Sequence, residues 1–436
     1  MSDATPRLRF APVARYLSRE IAGQESAKIW PKVWLMAGRL EQLKEVGDFL
    51  TLDIDRESII VVRSSRTELK AFYNVCQHRG RRLKEGCGNT GKTITCSFHG
   101  WRWGIDGKAQ YITNEEDFEP CAGYSRDLLG LQPVKLDTWG GWIFVSMDPD
   151  IEPLLQWLAP IPEVFEHYEF ENCRIKWAIT LTFPCNWKVA LNAFNEQYHV
   201  EMTHSQLNKY GLAKAPGKAH GKHSQFLIDA TSGSSNLGTA NARFKDLVET
   251  IEYREAERDR LLSALISEYS LQASKNLRNH VTPEMTPAQI VAKYRELHRT
   301  EMEAAGAKWP DQLTNQDMAR AGVDWHVFPN FIFLPSIDGA LYYRARPNPT
   351  NPEECWYDIW WMQRYGEGKE PEYEHKFFPT LESAAGVNPF LEQDFSNMRA
   401  VQLGMHSRGF RGAVYNPLQE IPISNFEKVL DEYLQR

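Results

Sequence analysis

Apolar and polar positions change period several times along the 436-residue chain, and the changes divide it into parts. From Ala22 to Leu40 apolar residues recur at mixed helical spacing, which predicts a helical segment ending at Gly38. Beyond Gly47 the period shortens to two. Phe49–Ile54 and Ser58–Arg63 read as strands joined by a turn over Asp55-Arg56-Glu57. Ala71–Val75, Thr93–Cys96 and Trp101–Gly104 continue as short strands, the last followed by the turn pair Asp106-Gly107. Trp142–Ser146 closes this region before a proline-rich stretch from Pro149 to Pro162. A second strand-rich part begins at Arg174–Phe183 and turns helical at Asn186. Residues 241–305 are highly charged with interspersed Leu and Ile, as in Asp246–Ile251 and Arg260–Ile266, the pattern of amphipathic helices covering a core. Strand signals return at Phe331–Leu334, Ala340–Arg346 and Trp356–Met362, and Asn425–Leu434 reads as a final helix. The expected fold is α+β: a helical segment over 1–39, a small all-β domain over 40–155, and a larger domain over 156–436 with an antiparallel sheet covered by helices.

Composition narrows the function classes. A formal charge of −7 argues against a nucleic-acid binder, and 14 Trp with 21 Phe leave ample aromatic material for cores and pockets. No apolar run approaches the roughly 18 residues that span a bilayer. The opening MSDATPRLRF lacks the apolar centre of a secretory signal, so a cytoplasmic protein without membrane contact is expected. Of seven cysteines, Cys87, Cys121, Cys173, Cys185 and Cys355 are scattered and are expected to be buried, reduced thiols rather than a disulfide framework.

The other two cysteines sit in paired motifs. Cys76-Gln-His78 and Cys96-Ser-Phe-His99 are separated by seventeen residues, and each offers one thiolate and one imidazole within a short turn. Two such loops closing on one centre supply the Cys₂His₂ inventory of a [2Fe–2S] cluster with cysteines on one iron and histidines on the other. Structural zinc uses the same residue types but usually as C-x₂₋₄-C and H-x₃₋₅-H pairs. Gly80, Gly86, Gly88, Gly91 and Gly100 lie in or beside the loops, where glycine lets backbone amides approach cluster sulfurs. The reading is a Rieske cluster.

An electron-transfer cluster alone does not explain 280 further residues. Within them, Glu196 and His199 are three apart, hence on one helical face, and His204 lies five beyond His199. An unbroken helix would rotate those two imidazoles by about 140°, so they share a metal only if the helix bends or unwinds between them. Together the two motifs resemble the catalytic subunit of a Rieske non-heme iron oxygenase, the ring-hydroxylating oxygenase family, over essentially the whole chain. The resemblance implies a helix-grip catalytic domain and a mononuclear Fe(II) held by His199, His204 and a carboxylate from Phe390–Asn397. That carboxylate is Asp394, with Glu392 as the alternative. It also implies that Glu196 bridges the two centres between neighbouring subunits of a trimer, and that Asn192 lies near the iron.

The implied function is the terminal oxygenase of a multicomponent system. It would hydroxylate an aromatic or related cyclic compound with O₂ and NAD(P)H-derived electrons. Ring-hydroxylating members usually carry Asp at the position of Glu196. In this respect the chain resembles the family's carnitine and glycine betaine members, which keeps a quaternary-amine monooxygenase or demethylase as the alternative. A competitor of another class is an electron carrier only. The basic residues Arg79, Arg81, Arg82, Lys84 and Arg102 around the cluster motif suit an acidic ferredoxin or a flavin reductase, since no nucleotide fingerprint is evident. A homotrimer, with or without a small β subunit, is the expected assembly.

Overall fold

The computed structural model describes residues 10–205, 215–227, 266–282 and 284–436. Asp246–Ile251 and Arg260–Leu265, expected to be helical, lie outside the described residues. The chain forms two compact units, Gly23–Trp157 and Leu158–Arg436 with the N-terminal residues to Ala22.

The first unit is built from ten strands: β1 (Leu35–Arg39), β2 (Asp48–Ile54), β3 (Glu57–Arg63), β4 (Leu69–Tyr73), β5 (Cys87–Asn89), β6 (Thr93–Thr95), β7 (Arg102–Gly104), β8 (Ala109–Tyr111), β9 (Pro133–Trp139) and β10 (Trp142–Ser146). Seven of them form one sheet in the order β1-β10-β9-β4-β3-β2-β5, and β6-β7-β8 form a second. Asp55 turns the β2–β3 hairpin with φ of 50°, and Gly107 turns β7 into β8 with φ of +87°. A side chain at Gly107 would collide with the Phe72 ring, so glycine is required there for space as well as for its backbone angle.

The helix expected over Ala22–Leu40 is shorter than its periodicity suggested. A helix covers Arg19–Lys28, a 3₁₀ turn with Pro31 follows at Trp30–Lys32, and Leu35–Arg39 is strand β1. All five residues of β1 are buried, and it pairs antiparallel with β10, Leu35 opposite Val145. A short continuous apolar run fits a fully buried strand as well as a helix, and partner pairing decides between them.

The second unit holds an eight-stranded sheet. Its members are β11 (Cys173–Phe183), β12 (Gly217–His220), β13 (His223–Phe226), β14 (Asp324–Val327), β15 (Phe331–Ser336), β16 (Gly339–Pro347), β17 (Cys355–Arg364) and β18 (His375–Phe378). The order is β12-β13-β14-β15-β16-β17-β11-β18; every pairing is antiparallel except β11–β18, which is parallel. Alternation gives the sheet two faces. One carries Arg344, Arg346, Asp358 and Thr180, joined by hydrogen bonds to the buried Asp358 carboxylate. The other carries Ile332, Tyr343, Tyr357, Ile179 and Leu181. On this second face Phe194 packs against Tyr343 and Tyr357, and Phe395 packs against Phe183 and Phe194. These contacts bring two helices, Trp187–Ala193 and Pro389–Met405, over the sheet. Glu268–Leu277 and Pro287–Ala304 are further helices, each started by a capping hydroxyl, Ser267 or Thr286.

No helix among the described residues is long and apolar enough to cross a membrane. Of the five scattered cysteines, Cys173, Cys185 and Cys355 are buried, but Cys87 and Cys121 are exposed. Cys87 lies on the edge strand β5 and Cys121 in a turn, where no neighbouring element covers them.

Candidate metal centres and active site

The two cysteine–histidine loops repeat one backbone design. In each, the cysteine carbonyl accepts from the glycine four residues on (Gly80 to Cys76, Gly100 to Cys96, both 3.0 Å). In each, the cysteine N–H donates to the carbonyl five residues on (Arg81 at 2.8 Å, Trp101 at 2.9 Å). Both glycines have positive φ, +75° and +79°, so this turn closes without the strain of a Cβ. The paired turns set Cys76 and Cys96 into the core beside Trp101 and Trp103, 4% and 1% exposed, and leave the imidazoles nearer the surface. The Nδ1 atoms of His78 and His99 are 3.1 Å apart, and Trp101 stacks on His78 at 4.8 Å.

Charge settles the donors in this pocket. Burial pushes the Cys76 thiol up, while backbone amides of His78 and Arg79 aimed at its sulfur pull the other way. Such amides stabilise negative charge on sulfur. Burial, then His99 and Arg79, hold the His78 imidazole below its ordinary value, in the neutral form that binds a metal. Two buried sulfurs within hydrogen-bond reach of each other and two facing imidazole nitrogens fit a [2Fe–2S] cluster with mixed ligands. Around this tip Arg79, Arg81, Arg82 and Arg102 are exposed, although Arg82 is paired with Asp53. Phe98, between Cys96 and His99, is 56% exposed under the Arg79 guanidinium.

The second group sits in the larger unit. Glu196 is not helical: the helix from Trp187 ends at Ala193, capped at its start by the Asn186 side chain. His199 and His204 stand at the two ends of a single turn of helix, Val200–Thr203, and His204 leaves helical geometry with ψ of 48°. This is the unwinding that the five-residue spacing demanded. Asp394 comes from the first half of the helix Pro389–Met405. One ligand atom each from His199, His204 and Asp394 lies within 4.8 Å of the others.

Hydrogen bonds fix which imidazole nitrogens face inward. His199 Nδ1 donates to Glu196 Oε1 at 2.8 Å, and His204 Nδ1 donates to Gln393 Oε1 at 2.7 Å. Both Nε2 lone pairs therefore point at Asp394 Oδ1, 3.4 Å from His199 and 2.9 Å from His204. That oxygen is buried and has no hydrogen-bond donor among the described residues. Three electron-pair donors converging with no proton between them is the arrangement a cation resolves. The donor set, two neutral imidazoles and a carboxylate, fits an Fe(II) facial triad with open positions. Burial lowers the His199 pKa, but Glu196 and Asp394 outweigh it and the net direction is upward.

Of the other expected residues, Glu392 turns away from the trio and accepts from the Gly386 N–H at 2.6 Å. Asn192 is the last-turn residue of its helix, and its Nδ2 lies 3.4 Å from the Tyr16 hydroxyl; it is not among the three converging ligands. Gln393 and Phe390, which stacks on His204 at 3.9 Å, orient the second imidazole, and the sequence pattern did not single them out. Their only signal was position, one before and four before Asp394.

The sequence profile described as "Ring hydroxylating alpha subunit (catalytic domain)" matches residues 170–436, and that described as "Rieske [2Fe-2S] domain" matches residues 33–131. The glycine betaine monooxygenase oxygenase subunit of Pseudomonas aeruginosa is 29% identical over 198 residues, 45% of either chain. The biphenyl 2,3-dioxygenase alpha subunit of Rhodococcus jostii is 31% identical over 197 residues, 43% of this chain and 42% of that one. The matched segments thus span under half the length of these curated relatives. The crystal structure of the quaternary ammonium Rieske monooxygenase CntA with L-carnitine has a TM-score of 0.66 at 17% identity, over 98% of this chain and 96% of that one. At that identity the likeness speaks for the fold.

Proposed function

The chain belongs to the ring-hydroxylating alpha-subunit family, and on that premise we propose that it is the terminal oxygenase of a multicomponent Rieske system. It takes electrons from a separate ferredoxin or flavin reductase and oxidises a small organic substrate with O₂. Gly23–Trp157 is the cluster domain, with Cys76, His78, Cys96 and His99 as ligands. Leu158–Arg436 is the catalytic domain, with iron on His199, His204 and Asp394. The functional assembly is a homotrimer, with or without a β subunit.

The observation that carries the reading is the convergence of two Nε2 lone pairs and an undonated carboxylate oxygen in one buried site. When bound there, a ferrous ion with open coordination positions supplies O₂ binding and activation. The chain's own residues do the rest. Glu196 and Gln393 hold the imidazoles in the tautomer that presents Nε2. Glu196 also accepts from the His199 N–H at 3.0 Å, so one carboxylate locks both ring and backbone of that ligand. Phe390 shields one face of His204 from water. Glu196, already bonded to a ligand imidazole, is the residue that would take a histidine from the neighbouring subunit's cluster domain.

Relatives bearing betaine and biphenyl names leave both substrate classes, aromatic and quaternary amine, consistent with the family. The test is metal counting. Reconstituted protein should hold three iron atoms per chain, with a rhombic, low-average-g EPR signal on reduction. Two irons per chain would make it an electron carrier, and zinc alone would end the reading.

A further inference from the structure

The two imidazoles of the cluster loops stand in unequal surroundings, and no role assigned above uses the difference. Trp101 lies nearly parallel to the His78 ring, with 13° between planes and 4.8 Å between centroids, and is itself buried. His99 instead meets Phe98, tilted by 36° at 3.9 Å, and Phe98 is open to solvent. One imidazole therefore rests on a buried indole and the other on an exposed ring.

Trp101 is braced where it stands. Its carbonyl accepts from the Cys96 N–H at 2.9 Å, so the backbone that carries the indole is tied to a cluster ligand. Phe118 meets the indole edge-on at 6.0 Å, and Tyr124 stacks on Phe118 at 6.2 Å with its hydroxyl bonded to Glu115. Trp103, also buried, flanks Trp101 at 6.3 Å and donates its indole N–H to the Leu129 carbonyl. Among the described residues Trp103 makes no ring contact with either histidine, so of these two buried indoles only Trp101 touches a cluster ligand.

The apolar shell around a metal centre controls how far water reaches its ligands, and through that its redox potential. Reduction adds an electron to a centre that already carries two thiolates. Water at a ligand favours that added negative charge, and an apolar plate that keeps water away disfavours it. A cluster so covered holds its electron less tightly and passes it on more readily.

Building on the Rieske reading of the two loops, we propose that Trp101 is a positioning residue of electron transfer. It fixes the plane of His78, closes that face of the ring to water, and so keeps the cluster a stronger reductant toward the iron site.

The test is an EPR-monitored redox titration of the reconstituted full-length protein. Trp101→Leu keeps an apolar side chain but loses the plate. Its cluster should be easier to reduce by about tenfold, the lower end of the effect of losing a residue that supports a metal ligand, which is about 59 mV upward for one electron. Trp101→Phe restores a ring and should return the potential to the wild-type value. Trp103→Leu disturbs the same core without touching His78 and should leave the potential unchanged. Phe118→Ala removes the brace from a partly buried position and should shift the potential in the same direction by less. It decides the matter if Trp101→Leu does not take up the cluster. A wild-type potential in Trp101→Leu or, where that variant holds no cluster, in Phe118→Ala would overturn the assignment. So would an equal shift in Trp103→Leu. Failure of the Rieske reading would appear separately, as wild-type protein without the rhombic signal.

Discussion

At the scale of single residues, the catalytic site is a matter of which atom of each side chain is free. Asp394 Oδ1 faces two imidazole nitrogens, whereas Glu392, two residues earlier, is spent on the Gly386 amide. Asp394→Ala should therefore lose the mononuclear iron with the cluster absorption unchanged, and Glu392→Ala should keep both, as metal analysis of the two variants would show. Gln393 does for His204 what Glu196 does for His199. Gln393→Leu should weaken iron retention by about 10–100-fold, the usual penalty for deleting the partner of a ligand imidazole. Titrating the apoprotein with Fe(II) measures it, and unchanged affinity would mean that Phe390 stacking suffices. Glu196→Gln keeps an acceptor for His199 but loses the charge that strengthens hydrogen bonds to imidazole. It should bind both metals and reduce normally, yet its pre-reduced cluster should reoxidise about 10–100-fold more slowly under O₂ and substrate in stopped flow. Wild-type rates would remove Glu196 from the electron route.

At the scale of elements, the large sheet depends on a buried charge cluster as well as on its aromatic layers. Asp358 on β17 binds Arg344 and Arg346 on β16, both in ion pairs of 2.7–2.8 Å, and accepts from Thr180 on β11 at 2.6 Å. One carboxylate thus ties three neighbouring strands together. Burial opposes its ionisation, but Arg346 and Arg344 outweigh burial and hold it well below the usual carboxylate range. Its folded pKa is depressed, so its contribution is fully present above the unfolded value of about 3.9 and is lost as pH falls through the folded one. Asp358→Ala removes the buried carboxylate that both arginines pair with and should cost about 3–5 kcal/mol at neutral pH. Denaturant titrations at pH 7 and pH 3 test both statements: the gap between wild type and variant should narrow at the lower pH. A gap that is constant with pH would assign the loss to packing instead.

At the scale of the whole molecule, the proposed assembly places the working pair of metal centres on different subunits. A closed head-to-tail ring gives every cluster a neighbouring iron. Co-expressing a His78→Ala chain, dead at the cluster, with an Asp394→Ala chain, dead at the iron, should restore a fraction of activity in mixed trimers that neither homotrimer possesses. Complete inactivity of verified mixed trimers would place electron transfer within one chain.

The sequence by itself determined the parts of this protein that short-range chemistry dictates. Cys-x-His and Cys-x₂-His with glycine after each histidine encode a local turn, and the same turn forms in both loops. Strands β2, β3, β11, β16 and β17 were legible because their β-branched and aromatic residues alternate or run apolar. Leu35–Arg39 was not, because the short apolar run Val33–Ala37 that leads into it has no period of its own until β10 pairs with the strand. β18 was not either, since His375–Phe378 is largely exposed and gains its identity from β11, a parallel partner far earlier in the chain. The same distinction holds in the site. The spacing of His199 and His204 posed a question that only a broken helix could answer, and the choice of Asp394 over Glu392 rested on which way one helix turned toward the other. Gln393 acquires its meaning from an atom far along the chain, the His204 imidazole nitrogen that it accepts from. Ligand identity is a property of local composition; which lone pairs meet is a property of tertiary packing.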